Sequence, residues 1–314
     1  MVFLKDSKMY VTIAICTYNR ANLLAQTLES FINIKIPENI EYHFLIINNN
    51  SSDNTEEIIK TYSKKLPLET YSETKPGSAN ARNAVLEYAR GDYVLCTDDD
   101  VQVDKNFLLS FVDCVKKYPD HVVFSGLIEP WFEVVPDPDL ARAFPLLSTG
   151  FTPQDINIQP GPCFKDVIVY GVNMGFNLSA AEGVKYDTNL GVSGKNFGCM
   201  EDSDFVDRVN KKNRSKSVWC PDMKIKHFIP VERTTKKYLT KLYTDRTASL
   251  FRKKGLPDGR KIFGFPIWAL RSLVVNYSKY VLYNVSFSKY KSLYHLAEYS
   301  KALGVLKSTN DPNY

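Results

Sequence analysis

The stretch from Tyr10 to Asp100 alternates between two periodicities, and that alternation limits the folds open to the chain. Tyr10 to Cys16 is rich in β-branched residues and reads as a buried strand. Leu24, Leu28, Phe31 and Ile32 then recur at helical spacing, with Asn19 placed to cap that helix. Tyr42 to Ile47 is a second strand. The polar turn Asn48 to Thr55 follows, with Ser52 or Asp53 capping a helix to about Lys64. Leu68 to Tyr71 is a third strand, and Lys75-Pro76-Gly77-Ser78 turns into a helix from Ala79 to Arg90. Val94 to Cys96 is a fourth strand. Strand–helix repetition of this kind predicts an α/β fold with a mostly parallel central sheet flanked by helices. Ligands of such sheets bind beyond the carboxyl ends of the strands. Three polar clusters fall there: Thr17 to Arg20, Asn48 to Asp53, and Asp98 to Asp100.

The last cluster is three consecutive carboxylates. Like charges in a row repel, so they call for a positive partner. Mg²⁺ or Mn²⁺ suits them, because a hard cation takes carboxylate oxygens and keeps positions for phosphate and water. A solvated acidic loop is the plainer alternative. Capping accounts for each polar cluster separately, but not for three carboxylates at one strand end. No G-x-G-x-x-G and no P-loop signature is present, so phosphate binding here needs side chains and metal.

Further along, Lys105 to Lys117 reads as a helix and Val122 to Ile128 as a strand, while Glu129 to Pro162 reads as an irregular excursion. Two glycines within Tyr170 to Asn177 predict a bend or a close backbone approach. Met200-Glu201-Asp202 opens a helix to about Asn210, where acids suit the helix dipole. His227 lies in a strand-like piece, Met223 to Phe228, with Arg233 six residues on.

The six cysteines form no C-x-x-C pair, which predicts neither a zinc site nor a disulfide and suits a reducing cytosol. Charge interrupts the N-terminus too early for a signal peptide, and no apolar run is long enough to span a membrane. Charge divides the chain. Arg233 to Tyr314 carries sixteen Lys/Arg against four Asp/Glu, a net of +12, while Met1 to Glu232 carries 24 against 31, a net of −7. The basic part predicts three helices, Thr234 to Lys254, Ile262 to Phe287 and Ser288 to Leu306, rich in Tyr, Phe and Trp. Such helices suit an anionic membrane surface. A bundle packed on the catalytic domain or a dimer interface is the competing expectation. No nucleic-acid-binding motif is present.

The order Thr17-Tyr18-Asn19-Arg20, Asn48 to Thr55, Gly77-x-x-x-Ala81-Arg82-Asn83, Asp98-Asp99-Asp100, Asn173-Met174 and Glu201-Asp202 resembles the family 2 glycosyltransferases of the GT-A fold. The resemblance covers about residues 9 to 230, and from Gly171 to Arg233 it is similar to members that build bacterial exopolysaccharides. It implies a catalytic domain over residues 1–232, with a donor half at about 9–128 and an acceptor half at about 129–232, followed by a helical extension over 233–314. It implies an inverting, metal-dependent transferase that takes a nucleoside-diphosphate sugar, UDP-sugars favoured, and a saccharide or lipid-linked acceptor. The expected location is cytoplasmic, peripheral on the membrane's cytoplasmic face.

Residue by residue, the resemblance implies that Asp100 binds Mn²⁺ or Mg²⁺ and that Asp98 contacts the ribose or the metal's water shell. Thr17, Asn19, Arg20, Asn48, Asp53 and Arg82 fall on the nucleotide side. Asp202 matches the general base, ionised at neutral pH like an ordinary aspartate, with Glu201 beside it. His227 falls where some members place a metal or diphosphate contact, and Asn173 and Arg233 are acceptor or phosphate candidates. Asp99 is expected to point away. Asn48 departs from the family's usual Asp, which leaves the base recognised open. A nucleotidyltransferase lacks support, because no glycine-rich, lysine-ended loop is present. An idle sugar-nucleotide-binding protein would not need the carboxylate at Asp202.

Overall fold

The computed structural model describes residues 8–143, 160–162, 168–192 and 199–310. In chain order they form β1 (Met9–Thr17), α1 (Ala21–Phe31), β2 (Ile40–Asn48), α2 (Thr55–Tyr62), β3 (Leu68–Ser72), α3 (Ser78–Tyr88), β4 (Tyr93–Asp98), β5 (Val101–Val103), α4 (Phe107–Lys117) and β6 (Val123–Phe132). Next come α5 (Pro138–Ala143), β7 (Gly161–Pro162), β8 (Asn173–Asn177), α6 (Glu201–Lys212) and β9 (Ser217–Ile229). A 3₁₀ turn (Val231–Thr234) leads to α7 (Lys236–Lys254), the small β10 (Lys261–Ile262) and β11 (Phe265–Pro266), α8 (Ile267–Val285) and α9 (Lys289–Asn310). The chain divides into two compact units. The first holds residues 1–129, 153–189 and 201–227, and the second holds 130–152, 190–200 and 228–314. The observed division therefore returns parts of the middle of the chain to the C-terminal unit, where the sequence reading used one cut at 232/233.

The main sheet has the order β3-β2-β1-β4-β8-β6-β9-β5, with β7 on β9. β3, β2, β1 and β4 are parallel, whereas β8 joins β4 antiparallel. The parallel strands read as unbroken apolar runs because both faces are covered. Ile13, Ile15, Phe44 and Leu95 enter one core cluster, and Ala14, Leu45, Ile47 and Val94 enter another. On one side α1 lays down Leu24, Leu28 and Phe31, with Phe31 edge-on to Phe44 at 5.0 Å. Burying each such side chain contributes about 2 kcal/mol. Register then sets the site: Thr17 lies beside Asn48, Cys16 beside Asp98, and Asn48 beside Ser72. At the other edge β5 and β9 pair antiparallel, with Val101 opposite His227.

Two capping expectations change. Asn19 is left-handed (φ 51°) and accepts from the Ser52 N–H, so it belongs to the turn before α1. Asp53 accepts from the first N–H of α1, at Ala21, and from Thr55 at the start of α2, so one side chain serves two helix starts.

The cysteine expectation is also corrected. Cys114 of α4 and Cys220 of β9 form a disulfide across a sequence separation of 106, with Cα atoms 6.3 Å apart. Spacing in sequence carries no sign of a pair that folding alone brings together. The cysteine argument for a reducing compartment loses its basis. Cys16, Cys96 and Cys199 take no part in that disulfide, and Cys163 lies outside the described residues.

In the second unit, Leu140, Ala143, Ile229, Leu239, Tyr243, Leu293 and Ala297 form a core between α5, α7 and α9. Gly304 of α9 lies so close to α7 that a Cβ there would stand 2.4 Å from the Thr244 carbonyl. Most of the Glu129–Pro162 excursion, residues 144–159, lies outside the described residues, as do residues 193–198 before α6.

Candidate active site

Because β1, β2 and β4 end in register, their polar ends converge. Arg20, just past β1, reaches back to the acidic run after β4. Its Nη1 donates to Oδ1 of Asp99 at 2.9 Å and to Oδ2 of Asp100 at 2.8 Å. Asp99 and Asp100 are both buried. Asp99 therefore shares Arg20 with its neighbour and stays outside the group that could hold an ion. Burial pushes the Asp99 carboxyl up to about 6, with Arg20 acting against the shift.

Asp98, Asp100 and His227 each offer a ligand atom, and these atoms lie within 4.8 Å of one another. His227 Nε2 is 3.3 Å from Oδ1 of Asp100, a proximity set by the β5–β9 register. Two carboxylates and an imidazole from both sides of the sheet make a donor set that fits Mn²⁺ or Mg²⁺. Burial also raises Asp98, opposed chiefly by Arg82, so the cluster has a standing electrostatic cost that a cation offsets.

Arg82, from α3, is the hub of the second half of the site. Its guanidinium lies 3.6 Å from Asp98, 3.1 Å from Glu201 and 2.5 Å from Asp202, with its side chain only 12% exposed. Glu201 also accepts from the Ser78 hydroxyl at 3.0 Å, and Asp202 from the Gly171 N–H at 2.9 Å. Burial pushes Asp202 up to about 7, with Glu201 adding and Arg82 opposing. That corrects the expectation of an ordinary aspartate, since three carboxylates share one guanidinium away from water. Tyr186 flanks Arg82, its ring 5.9 Å away, and stacks on Phe205 at 4.2 Å. Gly171 bears out the reading of close backbone approach, and Gly175 does the same against Phe111.

Several predicted residues turn inward. Thr17 is buried, and its carbonyl accepts from Asn49. Asn48 accepts from the Ser51 N–H and shapes its own turn. Asp53 spends both oxygens on helix starts, which makes it a structural residue here. Asn173 is fully buried and donates both amide hydrogens, to the Leu127 and Met223 carbonyls, so it offers no donor to an acceptor or phosphate. Arg233 sits in the 3₁₀ turn of the second unit. Asn49 is a residue the sequence reading missed. It donates to the Glu73 and Lys75 carbonyls and accepts from Gly77, holding the loop into α3. Within the run Asn48-Asn49-Asn50 nothing in sequence separates it from its neighbours.

Residues 12–161 match the family model "Glycosyl transferase family 2". The chain carries a family 2 glycosyltransferase domain. Among curated relatives, this chain is 32% identical over 117 residues to poly-beta-1,6-N-acetyl-D-glucosamine synthase of Staphylococcus epidermidis, covering 37% of this chain and 28% of that protein. It is 23% identical over 224 residues to poly(ribitol-phosphate) beta-glucosyltransferase of Bacillus spizizenii, covering 67% of this chain and 34% of that one. The chain thus spans about a third or less of these relatives' length. Among solved structures, S. aureus TarS 1-349 in complex with UDP aligns over 95% of this chain and 91% of its own, at TM-score 0.55 and 14% identity. The mannosyltransferase PcManGT from Pyrobaculum calidifontis, in complex with GDP-Man and Mn²⁺, aligns over 96% and 87% at TM-score 0.61 and 17% identity. These likenesses establish the GT-A architecture of the glycosyltransferase fold.

Proposed function

We propose that the chain transfers a sugar, with inversion, from a nucleoside-diphosphate sugar to a hydroxyl of a saccharide or lipid-linked acceptor in glycan synthesis. The observation that carries this reading is Arg82, which joins Asp98 on the donor side to Glu201 and Asp202 in one buried cluster. UDP-sugars are the favoured donors, since the structural neighbour TarS 1-349 is solved with UDP and with UDP-GlcNAc.

Asp202 is the general base. Its Oδ2 accepts from the Gly171 N–H, while its Oδ1, ion-paired with Arg82, keeps its lone pairs for the acceptor proton. The acceptor oxygen loses its proton to Asp202 and bonds to the anomeric carbon. The bond from that carbon to the diphosphate oxygen breaks on the opposite face, and the nucleoside diphosphate departs. Glu201, anchored by Ser78, holds Arg82 toward this step. Asp98, Asp100 and His227 would hold Mn²⁺ or Mg²⁺, which when bound supplies Lewis-acid neutralisation of the diphosphate. Arg20 balances Asp99 and Asp100 so that the acidic turn keeps its shape.

The location we assign is peripheral, on the cytoplasmic face of the membrane, where a lipid-linked acceptor would be met. Incubating the purified chain with Mn²⁺ and a panel of UDP- and GDP-sugars, and measuring nucleoside diphosphate released, tests the activity. Acceptor-stimulated release is expected with at least one donor. Donors that raise the thermal midpoint but are never turned over would assign the chain a binding role instead.

A further inference from the structure

Helix α8 has two sides rich in apolar residues and packs only one of them, half-buried except for the fully buried Ala269. Its inner stripe includes Ala269, Leu273, Asn276, Tyr280 and Tyr283, at helical spacing. Asn276 meets His295 of α9 at 2.9 Å, and Tyr283 stacks on the same ring. The outer face carries Ile267, Val274, Val275, Val281, Leu282 and Val285 at helical spacing, interrupted by Arg271 and Ser278, and faces solvent, with Val274 at 69% and Val285 at 71% exposure. A helix apolar on both faces is expected where no face meets water. Among the described residues none covers this stripe, and no helix is long and apolar enough to cross a membrane.

The ends of the helix extend the same surface. Phe263, in the turn between β10 and β11, is 95% exposed, and Phe287, just past the C-terminus, is 90% exposed. Both are left-handed, with φ of 50° and 58°. Nineteen residues make α8 roughly 28 Å long, with one exposed phenylalanine beyond each end. Charge along this segment is basic, with Asp258 and Glu298 just beyond its two ends. From Gly259 to Ala297 there are six Lys/Arg, namely Arg260, Lys261, Arg271, Lys279, Lys289 and Lys291, and no Asp or Glu.

We propose that α8, with Phe263 and Phe287, is a monotopic insertion element that lies flat in the headgroup region of an anionic lipid surface. The inference deepens the membrane-peripheral reading above and rests on it, while standing apart from the sugar chemistry. Apolar side chains enter the acyl boundary and the lysines and arginines meet lipid phosphates. The charge decides between lipid and a second copy of the chain. A two-fold interface would set this mostly basic segment against its own copy.

The test is co-sedimentation with vesicles of pure phosphatidylcholine and of phosphatidylcholine with phosphatidylglycerol. The full chain is expected to pellet with the anionic vesicles and to remain in solution with the neutral ones. The triple variant V274E/L282E/V285E is expected to stay in solution with both. Its side chains are exposed, so its thermal midpoint and its nucleoside diphosphate release with a soluble acceptor should match the parent protein. A parent chain that ignores anionic vesicles, or a folded triple variant that still pellets, overturns the proposal. A parent dimer that the variant converts to monomer, without vesicle binding by either, overturns it too and gives the face to a second copy. Vesicle binding with no sugar transfer from any donor would leave the insertion element standing and refute the glycosyltransfer reading alone.

Discussion

A methyl group on Gly171 would stand 2.5 Å from Nη2 of Arg82 and 2.7 Å from Oδ1 of Asp202. Gly171 does not have a left-handed backbone, so glycine is required there by what occupies its missing side chain's space. The same residue donates its N–H to Asp202. One backbone position therefore both admits the arginine and orients the carboxylate.

Gly171→Ala should accordingly disable the site without unfolding the sheet. Arg82 is buried among its partners and has nowhere to retreat. The added methyl displaces Arg82 and Asp202 together, and a shift of about 1 Å in such groups costs on the order of 100-fold in rate. Steady-state kinetics with the best donor check this, and a kcat/KM within threefold of the parent would contradict it.

Asp202→Asn keeps the size of the side chain and an oxygen for the Gly171 N–H, but it removes the base. Transfer should fall by roughly 10²–10⁴-fold. Donor affinity, read by calorimetry in the presence of Mn²⁺, should hold. Parallel losses in rate and donor affinity would move Asp202 from proton transfer to donor binding.

The pH profile follows from burial. Asp202 is raised to about 7, and a base acts only when deprotonated. Below that value the carboxyl carries a proton and cannot accept another, so kcat/KM should rise with pH and level off above about 7. Stability moves the opposite way. The folded chain holds this proton more tightly than the unfolded one, so the stabilisation from Asp202 is complete at acid pH and is lost as pH rises to about 7. An acidic limb near 4 would mean that Asp202 is not the titrating base.

The parallel half of the sheet was legible because strands buried on both faces read as apolar runs, and Tyr10 to Cys16 does so plainly. The acidic turn was legible because three carboxylates at a strand end have no packing role. What stayed hidden depended on register or on distant contacts. The family resemblance marked His227, but not its meeting with Asp100, which depends on β5 and β9 pairing with Val101 opposite His227. Cys114 and Cys220 meet through α4 and β9. Asn19 and Asp53 have the composition of caps, yet the helix each serves is set by a neighbouring turn 32 or more residues away. Asp202 looked ordinary because burial by partners cannot be read from its own neighbours in sequence.

Asp99 and Asp100 adjoin each other, share Arg20, and should nevertheless separate on mutation. Asp100 also belongs to the cluster with Asp98 and His227, whereas Asp99 does not. Asp100→Ala removes one of the two carboxylate ligands, so Mn²⁺-dependent donor binding should be lost. His227→Gln takes away a neutral ligand, keeps both charges, and should weaken that binding without abolishing it. Asp99→Asn leaves all three ligands in place but costs Arg20 a charged partner, so it should lower the thermal midpoint and preserve the Mn²⁺ response. Calorimetry of donor binding with and without Mn²⁺, run beside thermal unfolding on the three variants, reads all of these. Metal-dependent donor binding that survives Asp100→Ala, or that vanishes with Asp99→Asn, would reassign the ligand set.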